Sequence, residues 1–242
     1  MLEPSASVSP QASSYVEDSI ATSQKTVFVR DKPANILLQG IQRRWRRNRR
    51  RRKVGRAYDM ALEIAKVVPA NSRILDVGCG NGFIAHHLSA MLGANVTGID
   101  LEPGTEAAID YRQFDGKHFP VADSSIDAVL LCYVLHHAQR IDVVMSELRR
   151  VLRADGVVVI YEDVPDAWLD RLVCWTHNLK WQKRTGKCAF RSDLEWCTLF
   201  ISAGFEIVTE RSLSRWRNLT HPVRKKFFLA KLSESDRRND RR

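Results

Sequence analysis

No apolar run in this sequence is long enough to cross a membrane. The longest in the middle of the chain, Val129–Leu135, falls far short of the ~20 residues that a spanning helix requires. A transmembrane protein is thereby excluded. A secretory leader is also missing, because Met1-Leu2-Glu3 places an acid where a signal wants a positive charge and no apolar segment follows. The expected location is the cytoplasm. Cysteine is scarce: Cys79, Cys132, Cys174, Cys188 and Cys197 form an odd set, scattered through apolar surroundings. A chain of 242 residues that is 44% hydrophobic can bury one full core without a disulfide scaffold, so reduced thiols are expected. Acid is absent from residues 43–53 (RRWRRNRRRRK), which hold nine basic residues; without them the formal net charge of +10 falls to +1. The basicity is a local device and says little about the globular body.

Large apolar side chains are few over residues 1–25, a Ser-, Ala- and Pro-rich stretch expected to be a disordered tail. The domain reading that follows is a basic extension over 26–54, one folded domain over 55–232 and a charged tail over 233–242. A helix is expected at about 55–67, where Tyr58, Met60, Leu62, Ile64 and Ala65 recur near helical spacing. Beyond it, short β-rich runs alternate with amphipathic helices. The candidate strands are Arg73–Val77, Asn95–Ile99, Ile109–Phe114, Asp127–Cys132 and Val157–Tyr161. One helix carries Ile141, Val144, Met145, Leu148, Val151 and Leu152 and should stop before Asp155-Gly156; another starts at the capping box Ser192-x-x-Glu195. Phe205–Thr209 and Lys226–Ala230 read as two further strands with no helical pattern between them, suited to an antiparallel edge. The expected class is α/β: a Rossmann-like, seven-stranded, mostly parallel sheet with helices on both faces and an antiparallel β-β edge at its C-terminal end.

The strongest local signal is Ile74-Leu75-Asp76-Val77-Gly78-Cys79-Gly80-Asn81-Gly82, a strand running into a glycine-rich turn and then into the helix Phe83–Leu92. Glycines let a ligand approach the backbone, and a helix N-terminus favours negative groups such as a carboxylate. Asp100 ends the next strand, where a carboxylate can accept both hydroxyls of a ribose. A dinucleotide fingerprint needs a sixth-position glycine, but Phe83 stands there; a phosphate-binding loop needs a following Gly-Lys-Ser/Thr, which is absent. NAD is therefore the runner-up cofactor.

These residues resemble the class I S-adenosylmethionine-dependent methyltransferases over roughly residues 55–232. Four segments in order carry the resemblance: ILDVGCGNG (74–82), VTGIDLEPG (96–104), DGKHFPVADSSIDAVLLCYVLHH (115–137) and ELRRVLRADGVVVIYEDV (147–164). Within that class the chain is most similar to the small-molecule group, methyltransferase type 11, that includes ubiquinone and menaquinone C-methyltransferases. The resemblance implies S-adenosyl-L-methionine as cofactor. It implies that Gly78, Cys79, Gly80, Asn81 and Gly82 shape the methionine pocket and that Asp76 orients the amino group. Asp100 would hold the ribose, Leu101 would pack beside the adenine, Asp115 and Gly116 would meet the adenine edge, and the Cys132 carbonyl would face the methionine end. The bland alternatives are a buried brace for Asp76 and an ordinary turn acid for Asp115.

Methyl transfer from a sulfonium is an in-line displacement, so a base is needed only if the acceptor must lose a proton. Candidate catalytic residues at the carboxyl ends of strands are His137, His136 and Glu162, with Tyr133, Tyr161 and Asp163 beside them. Trp168, Leu172, Trp175 and Leu179 repeat at intervals of 4, 3 and 4 within the 164–190 insertion, as either a lid over an acceptor or a face packed on the sheet. The spacing of Cys174, His177, Cys188 and Cys197 matches no compact ligand pattern, so no metal site is expected. The expected partner is a small-molecule methyl acceptor, lipid- or quinone-like. The run Arg43–Lys53 suits an anionic membrane, a nucleic acid or plain solvent without choosing between them. The rival functions are an RNA methyltransferase anchored by that run and a catalytically silent cofactor-binding module. No Asn/Asp-Pro-Pro-Tyr segment or Pro-Cys nucleophile supports base methylation.

Overall fold

Alternation of period two gives each inner strand one apolar set per face, and the strands stack accordingly. A computed structural model describes residues 33–218 and 221–234. The chain divides into two units, Met1–Arg46 and Arg47–Arg242. The described residues of the first are helical, and the sheet and candidate site lie in the second. The reading of 1–25 as a tail lies outside the described residues.

The elements are α1 (Pro33–Ile64), β1 (Arg73–Val77), α2 (Phe83–Leu92), β2 (Asn95–Asp100), β3 (Asp110–Gln113), β4 (Ile126–Cys132), α3 (Ile141–Val151), β5 (Leu152–Asp163), α4 (Trp168–Thr185), α5 (Asp193–Ser202), β6 (Phe205–Leu213) and β7 (Lys225–Leu232). Short 3-10 turns occupy Leu135–His137 and Arg215–Arg217. The sheet order is β3-β2-β1-β4-β5-β7-β6, parallel from β3 to β5, with β7 antiparallel to both β5 and β6. The α/β, Rossmann-like, seven-stranded expectation and its antiparallel end are borne out.

On one face Leu75, Val77, Val129, Leu131, Val158 and Ile160 meet Met145 and Leu148 of α3 and Trp196 and Phe200 of α5. On the other, Ile74, Ala128, Leu130, Val159 and Tyr161 meet Ala61 and Ile64 of α1 and Ala85 and Leu88 of α2. Because β1 runs to β2 on one side and to β4 on the other, their following loops diverge and leave a crevice at the carboxyl end of β1. The glycine-rich turn opens into it.

Several local expectations need correction. The helix read at about 55–67 is the end of α1, which extends back to Pro33 and stops at Ile64. Asp155-Gly156 is not a turn that separates helix from strand: β5 starts at Leu152, and the two residues form an irregularity where Ile126↔Leu152 gives way to Ala128↔Val157. The Trp168/Leu172/Trp175/Leu179 face does not pack on the sheet. Trp168 is 73% exposed and Trp175 57%, while Asp170 and Cys174 of the same helix are buried. Periodicity identified one face of α4, but polar and sulfur side chains occupy the inward one. The capping box of α5 forms as read, with Ser192 Oγ accepting from the Glu195 N–H and Glu195 accepting from the Ser192 N–H. Among the described residues, which include all five cysteines, no disulfide forms. No helix among them is long and apolar enough to cross a membrane.

Candidate active site

The turn after β1 needs left-handed backbone. Gly78 has φ +67°, and a Cβ there would lie 2.5 Å from Cγ2 of Val134, so only glycine lets the turn close against the residues after β4. Gly80, at φ +54°, has nothing within 4 Å of where a Cβ would stand. That open side is where another molecule could lie against the backbone. Gly78 N–H and Cys79 N–H both donate to the Ile99 carbonyl, tying the turn to β2, and Cys79 Sγ packs over Gly98.

Asp76, at the end of β1, is 1% exposed, and its Oδ2 has no hydrogen-bond partner. Burial, with help from the nearby Asp100 charge, pushes its pKa up to about 7. A buried carboxylate with an unused oxygen is suited to a cationic donor. Asp100 accepts from the Gly80 N–H through Oδ2 (2.8 Å) and from the Glu102 N–H through Oδ1 (3.1 Å). Each oxygen retains a second lone pair for hydroxyl donors. Leu101 is half exposed, and its Cδ2 lies 3.1 Å from the Cβ position of Gly116, itself at φ +77°. The two residues thus make one rim of the crevice.

Asp115 is exposed and accepts from the Lys117 and His118 N–H groups, both through Oδ1; these bonds hold its carboxyl below the usual range. The same turn is braced from beneath, where the buried Glu147 accepts from the Phe119 N–H (2.6 Å) and pairs with Arg150 (2.6 Å). Asn81 faces the interior turns of α1: its Oδ1 accepts from Lys53 Nζ (3.0 Å), and its Nδ2 donates to Glu106, which also pairs with Arg50 (3.3 Å). Two members of the arginine run therefore hold the glycine turn's outer wall. Arg47, Arg49, Arg51 and Arg52 are exposed.

Cys132 ends β4, and burial drives its thiol pKa well up. Beyond it, Tyr133 adopts φ +62° and donates its N–H to the Tyr161 carbonyl. The three candidate catalytic residues come together: His136 Nδ1 lies 2.6 Å from Glu162 Oε2, whose other oxygen accepts from the Leu135 N–H (2.7 Å). Burial disfavours a charged His136, but the Glu162 charge and hydrogen bond outweigh it and raise its pKa above the ordinary value. His137 goes the other way, down to about 3, through burial and the neighbouring His136 and His177. Glu162 is fully buried with both oxygens engaged, an anchor for the turn rather than an open base.

The sequence pointed to Tyr161, Asp163 and His177 but not to the partners that two groupings give them. Tyr161 donates to Glu63 of α1 (3.0 Å), and Glu63 pairs with Arg217 (2.7 Å), joining α1, β5 and the 215–217 turn beside Tyr133. His177 of α4 and His221 stand with their rings 4.8 Å apart, and His221 Nε2 is 2.9 Å from Asp163. Neither grouping has a sequence-local signal, since the members lie tens of residues apart.

Residues 75–160 match a family model described as a methyltransferase domain. Over 103 residues the chain is 33% identical to a sterol 24-C-methyltransferase of Gibberella zeae, covering 37% of this chain and 27% of that protein. It is 27% identical over 147 residues to a demethylmenaquinone methyltransferase of Lactobacillus johnsonii, covering 54% and 55%. Among solved structures, the YcgJ protein of Bacillus subtilis superposes with a TM-score of 0.56 at 17% identity, over 74% of this chain and 98% of that one, which speaks to the fold alone. The chain spans about a quarter to about half of the length of these two curated relatives.

Proposed function

We propose that the chain is a class I methyltransferase that transfers a methyl group from S-adenosylmethionine to a small organic acceptor, lipid- or quinone-like, a reading that the match of residues 75–160 to a methyltransferase domain supports. One observation carries the cofactor assignment: the buried Asp76 oxygen without a partner, beside a glycine turn with open space over Gly80 and a carboxylate, Asp100, at the tip of the next strand. A cationic amino group, a sulfur-bearing chain and a ribose fit those three features in that order. When bound, S-adenosylmethionine supplies an electrophilic methyl on a sulfonium.

The residues of the chain then have defined tasks. Asp76 holds the ammonium, the backbone of Gly78–Gly82 lets the methionine portion pass, Asp100 accepts from the ribose, and Leu101 with Gly116 flanks the base. Asp115 offers its remaining oxygen, Oδ2, at the same rim. On the acceptor side, the partly exposed Tyr133 and His137 line the mouth with the buried Tyr161 behind them, and their work is to place the acceptor and exclude water. With His137 held neutral to about pH 3, His136 buried against Glu162 and both Glu162 oxygens engaged, none of these groups is an open base near neutrality. The arrangement suits an acceptor whose attacking atom needs little help in losing its proton.

The exposed apolar face of α4, with Trp168, Leu169, Leu172, Trp175 and Leu179 outward, favours an approach to a lipid surface over one to RNA. Arg47, Arg49, Arg51 and Arg52 add charge of the sign that anionic lipid attracts. Cosedimentation with phosphatidylglycerol vesicles tests this: binding should weaken in a Trp168→Ser/Trp175→Ser variant, and equal binding by that variant would count against it. The cofactor assignment is tested by calorimetric titration with S-adenosylhomocysteine and with NADH. Saturable binding of the first alone, lost in Asp100→Ala, is expected; binding of NADH alone would overturn it.

A further inference from the structure

Two adjacent histidines and a third that the sequence keeps apart from them meet beside the acceptor mouth. His136 and His137 lie on the 3-10 turn after β4, and His177 lies on α4, some forty residues later. One ligand nitrogen from each can be chosen so that all three lie within 4.8 Å of one another. Cys188, in the segment after α4, brings its Sγ to 3.4 Å from His137 Nδ1. In a tetrahedral site with Zn–N of about 2.05 Å and Zn–S of about 2.3 Å, ligand nitrogens stand ~3.3 Å apart and sulfur stands ~3.6 Å from nitrogen. The Cys188–His137 pair is already near that separation, whereas Cys188 stands outside the three-histidine group and its segment must shift inward to complete the set.

Which nitrogens face inward is partly fixed. Glu162 engages His136 Nδ1, so the opposite nitrogen, Nε2, is the one left to bind, and it is buried without a hydrogen-bond partner. His177 Nε2 is buried and unpartnered as well. Two orphaned imidazole nitrogens in one cluster are costly unless an electrophile sits between them, since each has given up its hydrogen bond to water without a replacement. A carboxylate on the far nitrogen of a ligating histidine is also how such ligands are oriented and made more basic. Aromatic rings flank the cluster: Phe190 stacks on His136 at 4.7 Å, and Trp181 lies 5.9 Å from His137 and 6.0 Å from His177. The segment bearing Cys188 is fastened to the same turn, because the Ala189 N–H donates to the His136 carbonyl (2.7 Å) and the Cys188 N–H donates to Asn178 Oδ1 (2.8 Å).

We propose that His136, His137 and His177 bind one zinc-class divalent cation, with the Cys188 thiolate as fourth ligand. Three imidazoles and a sulfur select a late first-row metal over Mg2+ or Ca2+, which prefer oxygen. Binding expels the Cys188 proton to solvent and leaves the metal's oxidation state unchanged. The filled site ties β4, α4 and the 186–190 segment together and so fixes the wall of the acceptor mouth. This inference is independent of the methyl-transfer reading, and its test uses no cofactor.

The full chain, stripped with a chelator, is titrated with Co2+ alone while its absorption spectrum is followed, and Zn2+ is then added. Uptake of one equivalent is expected, with tetrahedral d–d bands and a thiolate-to-cobalt charge-transfer band, all bleached by one equivalent of Zn2+. His177→Gln should lose saturable uptake with its helical circular dichroism intact, Cys188→Ser should keep the d–d bands and lose the charge-transfer band, and the exposed His86→Gln should match the parent. Failure of the unmodified protein to take up one equivalent of either metal would overturn the proposal, as would undiminished uptake by His177→Gln. A charge-transfer band that survives in Cys188→Ser would overturn the fourth-ligand assignment.

Discussion

Replacing Asp76 by Asn separates a carboxylate that binds a cation from one that merely braces the turn. In the free protein, burial and Asp100 place the Asp76 pKa at about 7. A cationic amino group binds the ionised form, so ligand affinity should weaken about tenfold for each pH unit below 7. At higher pH the ligand's own α-amino group, made more basic than a peptide N-terminus by its neighbouring carboxylate, loses its proton, so the profile for S-adenosylhomocysteine should be bell-shaped, with its acid limb centred near 7. Asn keeps the shape but not the charge. The loss of one charge-assisted hydrogen bond, about 1.5–3 kcal/mol, should raise Kd roughly 10- to 100-fold at pH 7.5 and flatten the acid limb.

Stability should move in the opposite sense. A carboxyl pKa raised on folding contributes stability at low pH that is lost as pH rises through about 7. Without ligand, Asp76→Asn should therefore be at least as stable as the parent at pH 8. Calorimetry from pH 5.5 to 8.5 and urea melts at pH 5.5 and 8 give both readouts. An acid limb of the same slope in Asp76→Asn, or an unchanged Kd, would refute the assignment of Asp76 as the ammonium site.

Other outcomes follow from single contacts. Gly78→Ala, with its Cβ 2.5 Å from Val134 and φ at +67°, should lower stability by about 1–3 kcal/mol in urea melts. Gly80→Ala meets open space in the protein alone, so it should cost less stability yet block S-adenosylhomocysteine in calorimetry; normal ligand affinity would show that nothing lies over Gly80. Glu162→Ala should cost about 3–5 kcal/mol, measured in the presence of a chelator, because it strands His136 and the Leu135 N–H in the core. Glu106→Ala removes a partly exposed partner of Arg50 and Lys53 and should cost under about 1 kcal/mol.

What could be read from the sequence was what local pattern encodes. The β1-turn-α2 unit, the strands β2 and β4, the capping box at Ser192 and the antiparallel pair β6 and β7 each rest on a few adjacent residues whose period or turn chemistry has one reading. Asp155-Gly156 misled because Gly normally punctuates a helix end, whereas here pairing with β4 resumes across it at Val157. On α4 the 4-3-4 spacing gave the face but not its direction. A helix with Trp and Leu on one side and Asp170, Cys174 and His177 on the other has two candidate inward faces, and buried pairing across the fold selected the polar one. The histidine cluster and the Glu63–Tyr161–Arg217 link were illegible because each joins segments that only the finished sheet brings together.

The most direct test of the central claim is label transfer. Purified protein is incubated with methyl-tritiated S-adenosylmethionine and a deproteinised cell extract, then the products are partitioned among organic solvent, water-soluble small molecules and RNA. The expected result is label in the organic or small-molecule fraction, absent with Asp100→Ala. Label confined to RNA, or cofactor binding with no label in any fraction, would contradict methyl transfer to a small acceptor.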